Sequence, residues 1–318
     1  NYPGMFIKKN PAKENSLVAD FAKFPLQEAN GGYNNINRIV TQRADYLVKT
    51  SGTRTFPWRI VVISENDKDL MNNDMVQKLS APSRIKDESW IKPGKVAWDW
   101  WNDWNIYNVD FQAGINTQTY KYYIDFAAEN NLEYIIIDEG WSDDSDLLIL
   151  SKNIDLKALL AYGKQKNVGI ILWSSWFAIT KNTESLMKNY AAQGVKGFKI
   201  DFMDRDDAKM VTSLYEIAKI AADNHLILDY HGMYKPTGIQ KTYPNILNFE
   251  GVKGLENSKW AVSDDVPAYD CTIPFIRMMA GPMDYTPGAM RNATKAGYKP
   301  SSSNPESQGT RCHQLALF

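Results

Sequence analysis

From Pro93-Gly94 onward the chain repeats one pattern: a short apolar run, a segment of helical period, then another apolar run. The runs start at residues 95, 134, 169, 197, 226 and 246, separated by 39, 35, 28, 29 and 20 residues. Strand and helix alternating in this way build a parallel sheet covered by helices. An eightfold barrel of roughly 250 residues uses about 31 per unit, which these spacings match. A dinucleotide-binding sheet would instead open on a glycine-rich first turn, and no such turn follows the first run. The expected fold is α/β, a (β/α)8 TIM-type barrel. Between the runs, Tyr120, Tyr123, Ile124, Ala127 and Ala128 recur at helical spacing, as do Leu156, Leu159 and Leu160, then Leu186, Met187 and Tyr190, then Met210, Leu214, Ile217 and Ala221. A seventh strand is expected near residues 279–283. The sequence ends at Phe318 inside an expected helix, 313–317, so the barrel reads as incomplete at its C-terminal end, before strand eight.

Residues 1–82 follow another rhythm, with short apolar stretches broken by turn residues. Asp45–Val48 and especially Phe56–Ile63 read as strands, and 71–79 as a short helix. A β-rich piece over 1–82 therefore precedes the barrel, which is expected over 83–318.

Composition removes several classes of function. Lys plus Arg number 36 and Asp plus Glu 37, so a net charge of −1 offers nothing to a polyanion, and nucleic acid is excluded as an expected partner. The longest apolar runs fall far short of the roughly 18–20 residues that span a bilayer. Cys271 and Cys312 are the two cysteines, too few for a disulfide framework or a repeated zinc-ligand pair. His225, His231 and His313 form no H-E-x-x-H, and neither a phosphate-cradling glycine loop nor a G-x-S-x-G elbow is present. Ten Trp residues, by contrast, suit flat surfaces that stack on sugars.

In a barrel of this type the active site forms at the carboxyl ends of the strands. The six runs end in Trp98-Asp99-Trp100-Trp101, Asp138-Glu139-Gly140-Trp141, Trp173-Ser174-Ser175-Trp176, Lys199-Ile200-Asp201-Phe202, Asp229-Tyr230-His231-Gly232 and Glu250-Gly251. Acids and indoles thus gather on one rim. Two carboxylates flanking a sugar are the minimum equipment for cleaving a glycosidic bond, and an oligosaccharide or other glycoside is the expected partner. Asp204, Asp206 and Asp207 are expected to supply negative charge to the N-terminus of the following helix.

These motifs, in order, resemble glycoside hydrolase family 97: Trp90 to Lys95 leading into Trp98-Asp99-Trp100-Trp101, Asp138-Glu139-Gly140-Trp141, Gly197 through Asp207, and Glu250-Gly251-Val252-Lys253-Gly254-Leu255-Glu256. The resemblance implies an N-terminal β-sandwich domain, of which residues 1–82 would be the C-terminal part plus linker, a catalytic (β/α)8 barrel and a small C-terminal β domain. It implies hydrolysis of α-glucosides or α-galactosides with Ca2+ in the site. Retaining members carry an aspartate nucleophile after strand four, where Asp201 stands, and that branch points to an exo-acting α-galactosidase; an α-glucosidase and a non-turning-over carbohydrate-binding fragment are the alternatives.

Carried over by position, Asp201 would be the nucleophile and Glu256 the acid/base. Glu250, with Glu256, would bind calcium, and one further ligand would come from upstream of Asn1. Lys199, two residues from Asp201 and therefore on the same strand face, would contact sugar hydroxyls, as would Asp138 and Glu139. Trp98, Asp99, Trp173 and His231 complete the expected substrate contacts. A retaining pair predicts carboxyl groups about 5–5.5 Å apart. By the same resemblance the protein is expected to be periplasmic or secreted.

Overall fold

Six parallel strands carry the molecule's chemistry because every second side chain along them points to one side. The computed structural model describes residues 2–262, 265–288 and 291–316. Its N-terminal part holds two antiparallel pairs, β1 (Phe6–Lys9) with β2 (Leu17–Asp20) and β3 (Pro25–Gly31) with β4 (Asn37–Arg43). Two short helices follow, α1 (Lys68–Met71) and α2 (Met75–Leu79), where a single helix over 71–79 was expected. The barrel begins with β5 (Val96–Trp98), α3 (Thr117–Glu129) and β6 (Tyr134–Ile137), and the hairpin β7 (Ser142–Asp143) and β8 (Asp146–Leu150) is inserted next. It continues through α4 (Leu156–Lys166), β9 (Gly169–Ser175), α5 (Trp176–Ile179), α6 (Thr183–Gln193), β10 (Gly197–Asp201), α7 (Ala208–Asp223), β11 (Ile227–Tyr230), α8 (Ile239–Thr242) and β12 (Ile246–Phe249).

The sheet order is β12-β11-β10-β9-β6-β5, with every pairing parallel. This is an incomplete TIM-type barrel, six strands in sequence order, as the spacing predicted. The expected seventh strand is not formed among the described residues: 278–280 are a 3-10 turn, and in its place the Asp284 N–H donates to the Phe249 carbonyl of the sixth strand at 2.6 Å. Helices α9 (Val266–Asp270), α10 (Ile273–Arg277) and α11 (Arg311–Leu315), with a minimal pair β13 (Asn292–Ala293) and β14 (Ser307–Gln308), make up the rest. The expected helix at 313–317 is seen as α11, shifted two residues earlier, and Leu317 lies outside the described residues.

Strand parity sorts the core. Ile135, Ile137, Ile170, Leu172, Phe198, Ile200, Leu228 and Tyr230 pack outward against α3, α4, α6 and α7 in one large cluster. Tyr134, Ile136, Ile171 and Ile227 form a separate inner cluster against Trp98. Gly197 pairs with Ile171 and Ile227 in this inner layer, where a Cβ would lie 2.2 Å from the Ile227 carbonyl oxygen, so no larger residue fits. One layer up, Lys199 pairs with Trp173 and Asp229. The inner face therefore turns from apolar to charged as the strands approach their carboxyl ends.

Helix ends follow ordinary capping. Asn116, Asp155 and Asp207 accept from the Thr119, Ala158 and Met210 N–H groups, and α6 stops at Gly194 with φ +103°. Asp207 caps α7, as its position suggested. It is also fully buried against Arg205, whose Nε and Nη2 donate at 2.8 and 3.1 Å. Arg205 reaches on to Glu28 at 2.6 Å and the Arg38 carbonyl at 3.2 Å, fastening β3 and β4 to the barrel.

The N-terminal part departs from expectation. Asp45–Val48 and Phe56–Ile63 join no sheet and are not strands, and Phe56, Trp58, Val61 and Ile63 are exposed. Their alternation mimics a half-buried strand, but a strand needs a hydrogen-bonded neighbour. Asp207→Ala should lower stability by about 2–4 kcal/mol, since it removes a cap and two charged hydrogen bonds of Arg205, leaving that group Glu28 and the Arg38 carbonyl; urea unfolding midpoints of the two proteins measure this.

Candidate active site

The two layers above the inner cluster bring most of the expected residues to one end of the barrel. Lys199 and Asp138 form a buried ion pair, Nζ to Oδ2 at 2.7 Å, with side chains 3% and 4% exposed. The same oxygen accepts from Trp98 Nε1 at 2.5 Å, and Lys199 Nζ lies 4.3 Å from the centre of the Trp98 ring. Burial works against the lysine's charge, but Asp138, Asp201 and Glu256 more than offset it and raise its proton affinity. Asp201 follows Lys199 on the same strand face. Its Oδ1 accepts from the Phe202 N–H at 2.7 Å, and the Trp173 indole N–H lies 3.4 Å from Oδ2.

His231 is buried, its Nε2 2.7 Å from Asp284 Oδ2 and 3.6 Å from Asp229 Oδ2. Burial and Lys199 oppose protonation of its ring, and Asp229 and Asp284 outweigh them, so its pKa is raised. Glu250 accepts from the Gly232 N–H at 2.6 Å. Burial first, then the charges of Asp201 and Glu256, push its pKa up to about 8. Glu256 sits in the first turn of a 3-10 helix, Leu255–Lys259, and its pKa is likewise raised by burial and by Asp201. One ligand atom each from His231, Glu250 and Glu256 lie within 4.8 Å of one another. Crowded carboxylates with raised pKa values are what a bound cation would relieve, and hard oxygen donors suit calcium.

Other expected contacts hold different positions. Asp99 is fully buried behind Asp138, accepting from Trp104 Nε1 at 2.7 Å, while burial and the Asp138 charge push its pKa up to about 7. Trp173 is 2% exposed and packs with Ile36 and Phe177. Trp98 has Lys199 and a stacked Trp100 against its ring. Glu139 lies at the edge, held by Asn34 Nδ2 at 3.3 Å and the Tyr33 hydroxyl, with a pKa pushed up to about 8 by burial and by Asp144. Two cavities of about 620 and 530 Å3 lie elsewhere, between the N-terminal part and the barrel flank, and none of the rim acids lines them.

Sequence reading missed several groups. Asp229, two residues before His231 on one strand, was open to the alternation rule. Asp284, Thr286 and Arg277 were not, because they lie in aperiodic sequence. Buried Arg277 donates to the carbonyls of Phe249, Glu250, Gly251, Gly281 and Pro282, and so ties down the loop that carries Glu250.

Comparison with known proteins decides the family. The profile described as Glycoside hydrolase 97 matches residues 100–252, and that described as Glycosyl-hydrolase 97 N-terminal matches residues 1–82. A retaining alpha-galactosidase of Bacteroides thetaiotaomicron is 52% identical over 321 residues, which is 100% of this chain and 48% of that protein. The chain belongs to glycoside hydrolase family 97. It spans about half the length of that relative. A family 97 enzyme from Pseudoalteromonas sp. strain K8, solved with acarbose, shares the fold with a TM-score of 0.75 at 24% identity, over 99% of this chain and 53% of that one. A beta-arabinopyranosidase shares it with a TM-score of 0.68 at 23% identity, over 99% and 48%.

One glycine makes room for the Asp201 carboxylate. Gly232 has φ +52°, and a Cβ there would stand 2.8 Å from Asp201 Oδ1 and from the Phe202 nitrogen. Gly232→Ala should displace the carboxylate and reduce kcat/KM on the order of 100-fold, while costing roughly 1 kcal/mol of stability. Steady-state kinetics beside thermal melts would show the two effects apart.

Proposed function

We propose that the protein containing this chain is a retaining, exo-acting α-galactosidase. The observation that carries the reading is Asp201, set at the end of β10 beside a buried lysine and electrostatically coupled to Glu256, in a chain 52% identical to a retaining alpha-galactosidase. In this reading Asp201 attacks the anomeric carbon as Glu256 protonates the departing oxygen. Glu256, now ionised, then takes a proton from water, whose oxygen displaces Asp201 and releases the sugar with its configuration kept. Lys199, Asp138 and His231 hold sugar hydroxyls, with Trp98, Trp173 and Glu139 shaping the pocket and Asp99 supporting Asp138 from behind. Glu250, with Glu256 beside it, would hold Ca2+, whose charge would offset that of the clustered acids.

The reading extends to residues 1–82 as the C-terminal part of a β-sandwich domain and to 83–318 as catalytic barrel. It extends also to a periplasmic or secreted location, on the family resemblance alone; no helix among the described residues is long and apolar enough to cross a membrane. The same family includes α-glucosidases, so paired nitrophenyl α-galactoside and α-glucoside hydrolysis is the deciding assay. Release from the galactoside alone supports the proposal, release from the glucoside alone replaces it, and release from neither leaves carbohydrate binding.

Two tests address the chemistry. Asp201→Asn should fold with a melting temperature close to that of the parent protein, yet lose turnover by more than about 10³-fold, because a neutral amide is a poor nucleophile. Asp201→Gly with azide should then yield the β-linked glycosyl azide. Calcium should raise the melting temperature, and more strongly at pH 8 than at pH 5. The sign follows from Glu250: its folded pKa of about 8 lies above its ordinary value of 4.5, so without metal its contribution to stability is present below the ordinary value and is lost as pH rises towards 8. A cation replaces the lost proton. A calcium shift independent of pH would count against Glu250 as ligand.

A further inference from the structure

We propose that Asp284 and Thr286 act as one positioning clamp, holding the His231 imidazole with one residue and the Glu256 backbone with the other. The inference rests on the reading above, in which His231 meets the sugar and Glu256 is the acid/base. Neither clamp residue lies on a strand or helix, so their placement comes from hydrogen bonds and from the packing of Tyr285 between them against Trp101, Leu255 and Val266.

Asp284 uses both oxygens. Oδ1 accepts from the Thr286 N–H at 3.0 Å, and Oδ2 meets His231 Nε2 at 2.7 Å. An ionised carboxylate only accepts, so Nε2 carries the proton, and the ring turns Nδ1 toward Glu250, 4.0 Å away. The Asp284 N–H is itself fixed to the Phe249 carbonyl at the end of β12.

Thr286 supplies the second arm. Its hydroxyl oxygen accepts from the Glu256 N–H at 3.0 Å, beside the Leu255 N–H bond to the Tyr285 carbonyl at 2.8 Å. The residue is buried and has φ +49°, a conformation that a β-branched side chain adopts only under strain. Glycine would sit there without strain but would bring no hydroxyl. The opposing strand of the clamp is shaped to match: a Cβ on Gly254 would lie 2.6 Å from Thr286 Oγ1. Strain at one residue and an obligatory small residue at the other both serve the same hydroxyl.

The two arms have separable kinetic signatures. Protonation by Glu256 matters for an alkoxide leaving group and hardly at all for dinitrophenolate, whereas contact of His231 with the sugar matters for both substrates. In the full-length protein, Thr286→Val should lower kcat/KM on an α-galactosyl disaccharide by about 10- to 100-fold and on dinitrophenyl α-galactoside by less than about threefold. Thr286→Ser should restore the disaccharide rate. Thr286→Gly, which relieves the backbone, should reproduce the valine result and covers the case in which valine prevents folding. Asp284→Asn offers one acceptor where two donors need one, so it should raise KM on both substrates by about tenfold with a smaller change in kcat.

Equal losses on both substrates for Thr286→Val and Thr286→Gly, or no loss, would overturn the clamp, as would an unchanged KM in Asp284→Asn. Imidazole nitrogen NMR, with the His231 signals assigned by substitution, adds a readout independent of turnover. The Nε2-bound proton of His231 should be shifted downfield by its carboxylate acceptor in the parent protein and lose that shift in Asp284→Asn. An inactive parent protein with this NMR signature would refute the galactosidase reading and leave the Asp284 arm standing; its absence would refute the clamp.

Discussion

The buried ion pair of Lys199 with Asp138 is the constraint on which the rim of the barrel depends. An ammonium group this deep is tolerable only when paired, and Asp138 Oδ2 pairs it while also accepting from Trp98. Three strands, β5, β6 and β10, are thereby held in one register at their carboxyl ends. The pair also sets the electrostatics around it. Asp201, Glu250, Glu256, Asp229 and Asp284 crowd one mouth, and Lys199 and His231 are the cations that draw on them. Burial raises the proton affinity of Glu250 and Glu256 in spite of those cations, so the site carries an excess of carboxylate. Crowded carboxylates of this kind suit proton transfer and the binding of a hard cation.

The barrel was legible because its strands are buried on both faces. A parallel strand of this kind must be a nearly continuous apolar run, as Tyr134–Ile137 and Gly169–Trp173 are, and its boundaries then fall within a residue or two of the run. Parity does the rest: once Asp201 is inward, Lys199 is too. The N-terminal hairpins were invisible for the opposite reason. β1 and β2 are exposed along their whole length, so no hydrophobic pattern marks them, whereas 56–63 shows such a pattern without a partner strand. After β12 periodicity disappears altogether. Asp284, Thr286 and Arg277 are held by backbone carbonyls and amides, and nothing in their sequence neighbourhood encodes that.

The turn between β3 and β4 gives the N-terminal part a place in the chemistry as well as in the fold. Its Asn34 amide donates to both Glu139 and Asp144, at 3.3 and 3.0 Å, bridging Glu139 to the acid whose charge helps raise its proton affinity. Asn37 donates to Asp204 at 2.7 Å, a group whose pKa is pushed up to about 6 by burial and by Asp201. Tyr33 stacks on Phe202 at 5.4 Å, directly after Asp201 and at a residue with φ +62°. Each contact meets a rim group that the barrel alone leaves strained or facing like charge. The Arg205 bonds to Glu28 and the Arg38 carbonyl lock the hairpin on which this turn is mounted. A barrel that concentrates acids at its mouth needs outside donors to keep the peripheral ones from competing with the central pair, and here a hairpin from the preceding segment provides them.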